Sequence, residues 1–126
     1  FNREITDSQW KAQVYRCMRR IPTLEEPSRK RGVVDLYDVS DDWLPIYDST
    51  RIKGYYMAIG SSGNQFKNAP IAGHCMAELI EACEKGQNHD EDPVQVKTVY
   101  TGLTLNMGFY SRNREINPNS SFSVNG

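Results

Sequence analysis

The stretch GYYMAIGSSGNQFKNAPIAG, Gly54–Gly73, decides the fold of the region around it. It opens with a nearly continuous apolar run, Tyr55–Gly60, which is typical of a strand buried on both faces. A turn of small polar residues follows. Behind it, Asn68 can cap a helix and Pro70 suits a first helical turn. The stretch therefore predicts a strand, a small-residue turn and a helix in succession.

Two helices are predicted from apolar periodicity. The first covers residues 7–20, where Thr6 and Gln9 fit a capping box and Pro22 ends the pattern. The second begins after Asn68 and ends near Gly86, a residue type that suits the end of a helix. Its apolar face consists of Ile71, Cys75, Met76, Leu79, Ile80 and Cys83.

Short strands are predicted on either side of this unit. One covers residues 32–39, and a short extended piece with Pro45 near its centre covers residues 43–48. Residues 94–100 and 103–110 are two further candidates, and residues 111–126 form a polar tail without a core pattern. The pattern as a whole predicts an α+β fold.

The composition excludes some partners. The chain has 126 residues, a net charge of −1, 38% hydrophobic and 25% charged residues, which is ordinary for one small globular domain. Nothing draws it to nucleic acid or to an anionic surface, and no apolar run approaches the ~18 residues that span a membrane. The acidic pair Asp41–Asp42 is expected in a solvated turn.

The three cysteines, Cys17, Cys75 and Cys83, are an odd number and lie in helical patterns. They are interpreted as reduced, buried thiols of a protein in a reducing compartment, either the cytoplasm or the mitochondrial matrix. His74 and His89 lie near two of them, but no metal-ligand spacing is present, so no metal site is predicted. No catalytic residue is identified either, since no nucleophile and base stand in a known arrangement.

The small-residue turn is the main candidate site. Glycines let a ligand approach the backbone, and the N-terminus of a helix presents unpaired N–H groups. Gly60–Gly63 therefore form a candidate anion cradle, to which Lys67 would add a positive charge. The alternative is a plain strand-to-helix connection whose glycines only make the turn. Tyr37 and Trp43 either orient a substrate or pack against the core.

These residues resemble a known family. GYYMAIGSSGNQFKNAPIAG, followed by MAELI, resembles the last FAD-contacting segment of the glycine oxidase, D-amino-acid oxidase and sarcosine oxidase family of flavoproteins. Upstream, DLYDVSDDWLPIYD, residues 35–48, resembles the segment that enters this region in the family. The resemblance covers roughly residues 30–85 and implies a fragment of a two-domain α/β flavoprotein.

The resemblance also implies a domain plan. Residues 1–46 would be the end of a substrate domain, and residues 47–86 the strand, turn and helix that close the FAD domain. Residues 87–126 would be an extension with short strands and a polar tail. The G-x-G-x-x-G fingerprint, with which the family binds the ADP half of FAD, is absent. The chain is therefore expected to be the C-terminal part of a larger protein and to need an N-terminal remainder.

The resemblance implies roles for particular residues. FAD would be bound without a covalent bond at this segment, because Asp35 stands where some members have a flavin-linking cysteine. Backbone N–H groups from Ser62 to Lys67 would stabilise negative charge on the reduced flavin. Lys67 and Tyr37 would bind the substrate, a small amine or amino acid. The cofactor-binding set is Gly60, Ser61, Ser62, Gly63, Asn64, Gln65, Phe66 and Lys67.

Two departures keep other functions open. Asn64 and Gln65 replace the residue pair that is common in the family, which is compatible with a structural or interaction module that has lost its chemistry. A small freestanding domain that binds an anion at Ser61–Gly63 is the third hypothesis. If the partners of Tyr55–Gly60 lie outside this chain, the strand is expected to expose apolar surface or to pair with another copy.

Overall fold

A computed structural model describes residues 1–120 of the chain. Within them it contains two α-helices and two small antiparallel sheets, which confirms the predicted α+β class. The chain divides into two compact units, Phe1–Leu36 and Tyr37–Gly126. The boundaries suggested by the flavoprotein resemblance, near residues 46 and 86, stay predictions.

The first unit is built on helix α1, Asp7–Arg20. Its start is the predicted one, because the Thr6 hydroxyl accepts a hydrogen bond from the Gln9 backbone N–H. Trp10 is its buried residue. An exposed ion pair between Lys30 and Asp7 joins the loop after the helix to its first turn. This unit therefore depends on one helix and the chain that folds back along it.

The strand predicted for residues 32–39 is wrong. The segment forms no strand among the described residues, and Val33 is 89% exposed and Leu36 70% exposed. An apolar run becomes a strand only when a neighbour exchanges backbone hydrogen bonds with it. In this segment, the Asp38 carbonyl accepts a hydrogen bond from the Ser62 N–H. Ser62 belongs to a turn, so this bond is not part of a strand ladder.

The second unit opens with a hairpin. Strand β1, Ile46–Ser49, begins directly after Pro45 and pairs antiparallel with β2, Tyr56–Ile59. The register places Ile46 opposite Ile59 and Ser49 opposite Tyr56. Ala58 and Ile59 are exposed, so the expectation that this run is buried on both faces is wrong within the described chain. The outer face of β2 has no apolar layer against it among residues 37–120.

Helix α2, Ala69–Glu84, follows the hairpin through a 3₁₀ turn at Phe66–Asn68. Asn68 occupies the predicted cap position, but its side chain makes no capping bond. The chain is already wound at Asn68, which has φ −95° and ψ −1°, whereas a capping side chain needs an extended backbone. The predicted end is confirmed, since Gly86 has φ +101° and donates to the Cys83 carbonyl.

A second hairpin completes the fold and the core. Strands β3, Gln95–Lys97, and β4, Thr104–Asn106, pair antiparallel, and a 3₁₀ turn at Met107–Tyr110 follows. Helix α2 packs against β1 and β3. The buried core consists of Tyr47, Cys75, Leu79, Val94, Val96 and Met107. No helix within residues 1–120 has the length and apolar character to cross a bilayer.

Candidate functional site

The candidate site is the segment Gly60–Lys67, called here the 60–67 turn. It lies between the end of β2 and the 3₁₀ turn that leads into α2. Three of its residues have positive φ: Gly60 (+67°), Ser62 (+48°) and Gly63 (+73°). This left-handed backbone is open to glycine at little cost, which explains why small residues are concentrated here. Successive N–H groups in such a turn can converge on an anion.

A carboxylate of the chain itself already lies against the start of this turn. Asp38 Oδ1 accepts from the Ser61 backbone N–H at 3.2 Å and from the Ser61 hydroxyl at 2.7 Å. Asp38 Oδ2 accepts from the Gly60 N–H. The Asp38 carbonyl accepts from the Ser62 N–H at 2.9 Å. The backbone N–H groups of the first three residues of the 60–67 turn therefore all donate to Asp38.

The charge state of Asp38 agrees with this contact. The hydrogen bond from the Ser61 hydroxyl holds the pKa of the Asp38 carboxyl below its usual value; burial opposes this effect, and the Ser61 and Gly60 N–H groups add to it. Hydrogen bonds donated to a carboxylate favour its ionised form. Asp38 is therefore anionic at neutral pH.

The middle of the turn is held by side chains that face inward. Ser62 is fully buried, and its hydroxyl donates to the Gly60 carbonyl. Gln65 Oε1 accepts from the Tyr47 hydroxyl at 3.3 Å and from Asn68 Nδ2 at 3.0 Å. The Gln65 amide also donates to Asn64. The side chains of Ser62 and Gln65 are thus hydrogen-bonded within the protein when no ligand is bound.

Donors remain in the second half of the turn. Among residues 1–120, no acceptor is found for the backbone N–H of Gly63, Gln65, Phe66 or Lys67. The Phe66 ring beside them is 96% exposed. Lys67 is exposed, and the described part of the chain provides no anion to pair with it. This half combines N–H donors that have no acceptor among residues 1–120 with an exposed aromatic ring and an exposed positive charge.

The cavity beside these groups is small. A cavity of about 50 Å³ lies beside the turn, lined by Tyr47, Gln65, Asn68 and their neighbours. Sites for ligands of drug size occupy several hundred Å³. A ligand as large as a nucleotide would therefore lie over the turn rather than inside this cavity. Tyr37 is 46% exposed and directly precedes Asp38, so it lies beside the contact that organises the turn.

Two buried ion pairs were missed by the sequence analysis. Asp42, expected in a solvated turn, is 1% exposed and takes a bidentate pair of hydrogen bonds from Arg114: Nε to Oδ2 at 2.8 Å and Nη2 to Oδ1 at 2.5 Å. This pairing lowers the pKa of Asp42 to about 2. The segment 111–114 is therefore not the featureless polar tail that its sequence indicated. The pattern held no signal for the pair, because the partners are 72 residues apart.

The second pair centres on Asp48, which is fully buried at the β1 strand. Its Oδ2 accepts from the Ser111 hydroxyl at 3.0 Å and from the Arg112 backbone N–H at 2.7 Å, and Arg112 Nη1 lies 2.9 Å away. His89, also buried, accepts from the Val94 N–H through Nδ1 at 3.1 Å. Its Nε2 lies 3.6 Å from Asp48 Oδ1. His89 Nε2 is buried and has no hydrogen-bond partner among the described residues.

The cysteines are less uniform than expected. Cys75 is buried and Cys83 half-buried, but Cys17 is exposed, so the expectation of three buried thiols is wrong for Cys17. Burial raises the pKa of both Cys75 and Cys83, which keeps these thiols protonated and poorly nucleophilic. Within residues 1–120, no group of three or more His, Cys, Asp or Glu side chains is placed to hold a metal ion.

Comparison of the chain with family models, with curated proteins and with solved structures finds no match. The flavoprotein resemblance consequently stays a hypothesis that depends on the residues themselves.

Proposed function

We propose that this chain is the C-terminal part of an FAD-dependent oxidoreductase that oxidises a C–N bond of an amine or amino acid. The observation that carries the proposal is the outward half of the 60–67 turn. It combines unused N–H donors at Gly63, Gln65, Phe66 and Lys67 with an exposed aromatic ring at the entrance to α2. A flat ligand with hydrogen-bond acceptors along one edge matches this surface, and the flavin ring system is such a ligand.

The chemistry of the turn suits a flavin that gains negative charge. When bound, FAD supplies the acceptor for a hydride from the C–H next to the substrate nitrogen. The chain contributes N–H donors and the positive end of α2, both of which favour negative charge. The backbone N–H groups of Gly63 and Gln65–Lys67 would face the cofactor, whereas those of Gly60 and Ser61 donate to the Asp38 carboxylate.

Substrate binding is assigned to the exposed charge and aromatic side chain nearby. Lys67 has no anionic partner in the described chain and would pair with a substrate carboxylate. Tyr37 would contribute an aromatic wall, because it lies next to Asp38 along the chain and is half exposed. Both roles were expected from the resemblance and remain part of the proposal.

The proposal requires an N-terminal remainder that covers the apolar surface around the turn. Tyr55, directly before β2, is 60% exposed, Ile59 on β2 is 48% exposed, and the ring of Phe66 is 96% exposed. Contiguous exposed apolar residues on a strand usually mark a surface that another chain segment covers. A second copy of this chain, pairing through the free edge of a strand, is the alternative occupant.

The test is a visible absorption scan of the longest natural form of the protein, purified with FAD in the buffer. The expected result is a flavin spectrum that bleaches without oxygen when a suitable amine or amino acid is added. A folded protein that shows no flavin spectrum after FAD addition would overturn the proposal. Bleaching by amino acids but not by the corresponding amines would show that the protein recognises the substrate carboxylate, and loss of this preference in Lys67→Ala would assign the contact to Lys67.

One observation favours a non-catalytic alternative. Gln65, one of the two residues that depart from the family pattern, is hydrogen-bonded to Tyr47 and Asn68 and so serves the structure. A structural or interaction module would keep such bonds after losing its ligand. The freestanding anion-binding domain is less well supported, because Asp38 already takes the Ser61 donors that an external anion would need.

A further inference from the structure

Asp38 is the residue that the structure adds to this site. It is exposed and belongs to a segment without strand partners, yet it makes four hydrogen bonds to three consecutive residues, Gly60–Ser62. Its carboxylate and its carbonyl act together: the side chain takes Gly60 and Ser61, and the backbone takes Ser62. An isolated surface carboxylate would not be expected to organise a turn so completely.

The contact has a geometric consequence for the rest of the turn. Gly60, Ser62 and Gly63 all have positive φ, a conformation that costs free energy for the non-glycine Ser62. The three donors that converge on the Asp38 carboxylate offset that cost and fix the direction of the backbone as it leaves β2. The backbone N–H groups of Gly63, Gln65, Phe66 and Lys67 follow along the chain from this held segment.

We infer that Asp38 is a positioning residue for the 60–67 turn: its carboxylate is a built-in anion that aligns the first half of the turn so that the second half can bind a ligand. The inference rests on the proposed function for the identity of that ligand, FAD. In this assignment Asp38 does not contact the ligand. Its carboxylate accepts hydrogen bonds from Gly60 and Ser61, whereas the ligand would accept from residues later in the turn.

The test removes the carboxylate and then returns one from solution. Asp38→Ala leaves Gly60 N–H, Ser61 N–H and the Ser61 hydroxyl without an acceptor, and formate is small enough to fill the vacated position. The matched control is Asp41→Ala, which removes an exposed carboxylate three residues away. Both variants are prepared in the longest natural form, and the affinity for FAD is measured with and without excess formate.

The expected result is a rise of about tenfold or more in the Kd for FAD in Asp38→Ala, from the loss of charge-assisted bonds that hold the turn. Formate should recover most of that loss, while acetamide, which is neutral, should not. Asp41→Ala should bind FAD as the parent protein does. Unchanged FAD affinity in Asp38→Ala would overturn the inference, as would a loss that formate fails to reverse in a protein that is still folded.

A second readout separates this inference from the proposed function. Selective ¹⁵N labelling of glycine and serine reports the amides of Gly60, Ser61 and Gly63 whether or not FAD binds. In Asp38→Ala these amide signals should shift, and formate should return them toward their positions in the parent protein. If the parent protein holds no flavin, the proposed function fails, and these amide shifts alone decide the role of Asp38. Amide signals that shift neither on substitution of Asp38 nor on addition of formate would show that Asp38 does not position the turn.

Discussion

Replacing Arg114 by Met tests the buried ion pair with Asp42. The Arg114 side chain is 8% exposed and that of Asp42 1%, so the substitution leaves a buried carboxylate without its cation. In the folded protein the pKa of Asp42 is lowered from 3.8 to about 2, chiefly by the hydrogen bonds from Arg114. At about 1.4 kcal/mol per pKa unit, this shift corresponds to about 2 kcal/mol of stability at neutral pH.

The loss in Arg114→Met is expected to reach about 3–5 kcal/mol, because an unpaired buried charge costs more than the pair contributes. The sign of the pH dependence follows from the lowered pKa. The stabilisation is fully present above about pH 4 and disappears as the pH falls through about 2, where Asp42 becomes protonated. The difference between parent and variant should therefore shrink over this range.

The assay is urea unfolding followed by far-ultraviolet circular dichroism, at neutral pH and at several values down to about pH 2. Arg51→Met is the matched control, since Arg51 is an exposed arginine in the turn between β1 and β2. The reasoning is refuted if Arg114→Met and the control unfold at the same urea concentration at neutral pH. It is also refuted if the destabilisation is the same at every pH.

Three further predictions address the core, the turn and the substrate. Leu79→Ala should lower the free energy of unfolding by about 2–5 kcal/mol, whereas Ile80→Ala, one position along and 36% exposed, should cost far less in the same urea titration. Gly60→Ala should lower the free energy of unfolding by about 1–2 kcal/mol, because φ is +67° and a new Cβ would lie 3.2 Å from the Cβ of Ser40. Gly73→Ala, in open space on α2, should raise it by about 0.5–1 kcal/mol. Equal effects of the two substitutions would contradict the strain argument. If the proposed function holds, Lys67→Ala should raise KM for a carboxylated substrate by about tenfold or more at unchanged flavin content, and unchanged steady-state kinetics on every amino acid tested would remove Lys67 from the site.

The helices were predictable because their signals are local. The Thr6 cap with Gln9, and Gly86 at the end of α2, depend on residues within one helical turn, so the sequence contains what is needed. The strand–turn–helix order around residues 56–84 was predictable for the same reason. The class of the fold followed from these elements.

The strand predicted at residues 32–39 failed because a strand is a relation between two segments. Its apolar residues satisfy the pattern, but no neighbour pairs with them in the described chain. The burial of His89 could not be predicted from the sequence either. His89 lies in a polar connector, and its burial depends on contacts with Val94 and Asp48.

The 60–67 turn was found from its glycines, but its organiser was not. Asp38 lies 22 residues before Gly60 in sequence, and nothing in the spacing connects the two. The sequence predicted a cradle for an external anion, which stays a prediction, whereas the carboxylate that the structure places on Gly60 and Ser61 belongs to the chain itself. The identity of that anion depended on how the chain folds back, which composition and periodicity do not contain.

The two arginines of the segment 111–114 set an order for the making of this protein. Arg114 is 72 residues from Asp42, and Arg112 is 64 residues from Asp48. On a ribosome, both aspartates emerge long before the cations that neutralise them. The β1 region must therefore keep its carboxylates in water while the nascent chain grows, and it can bury them only after Arg114 has left the exit tunnel. Folding of the second unit therefore has to wait until the segment 111–114 has been synthesised.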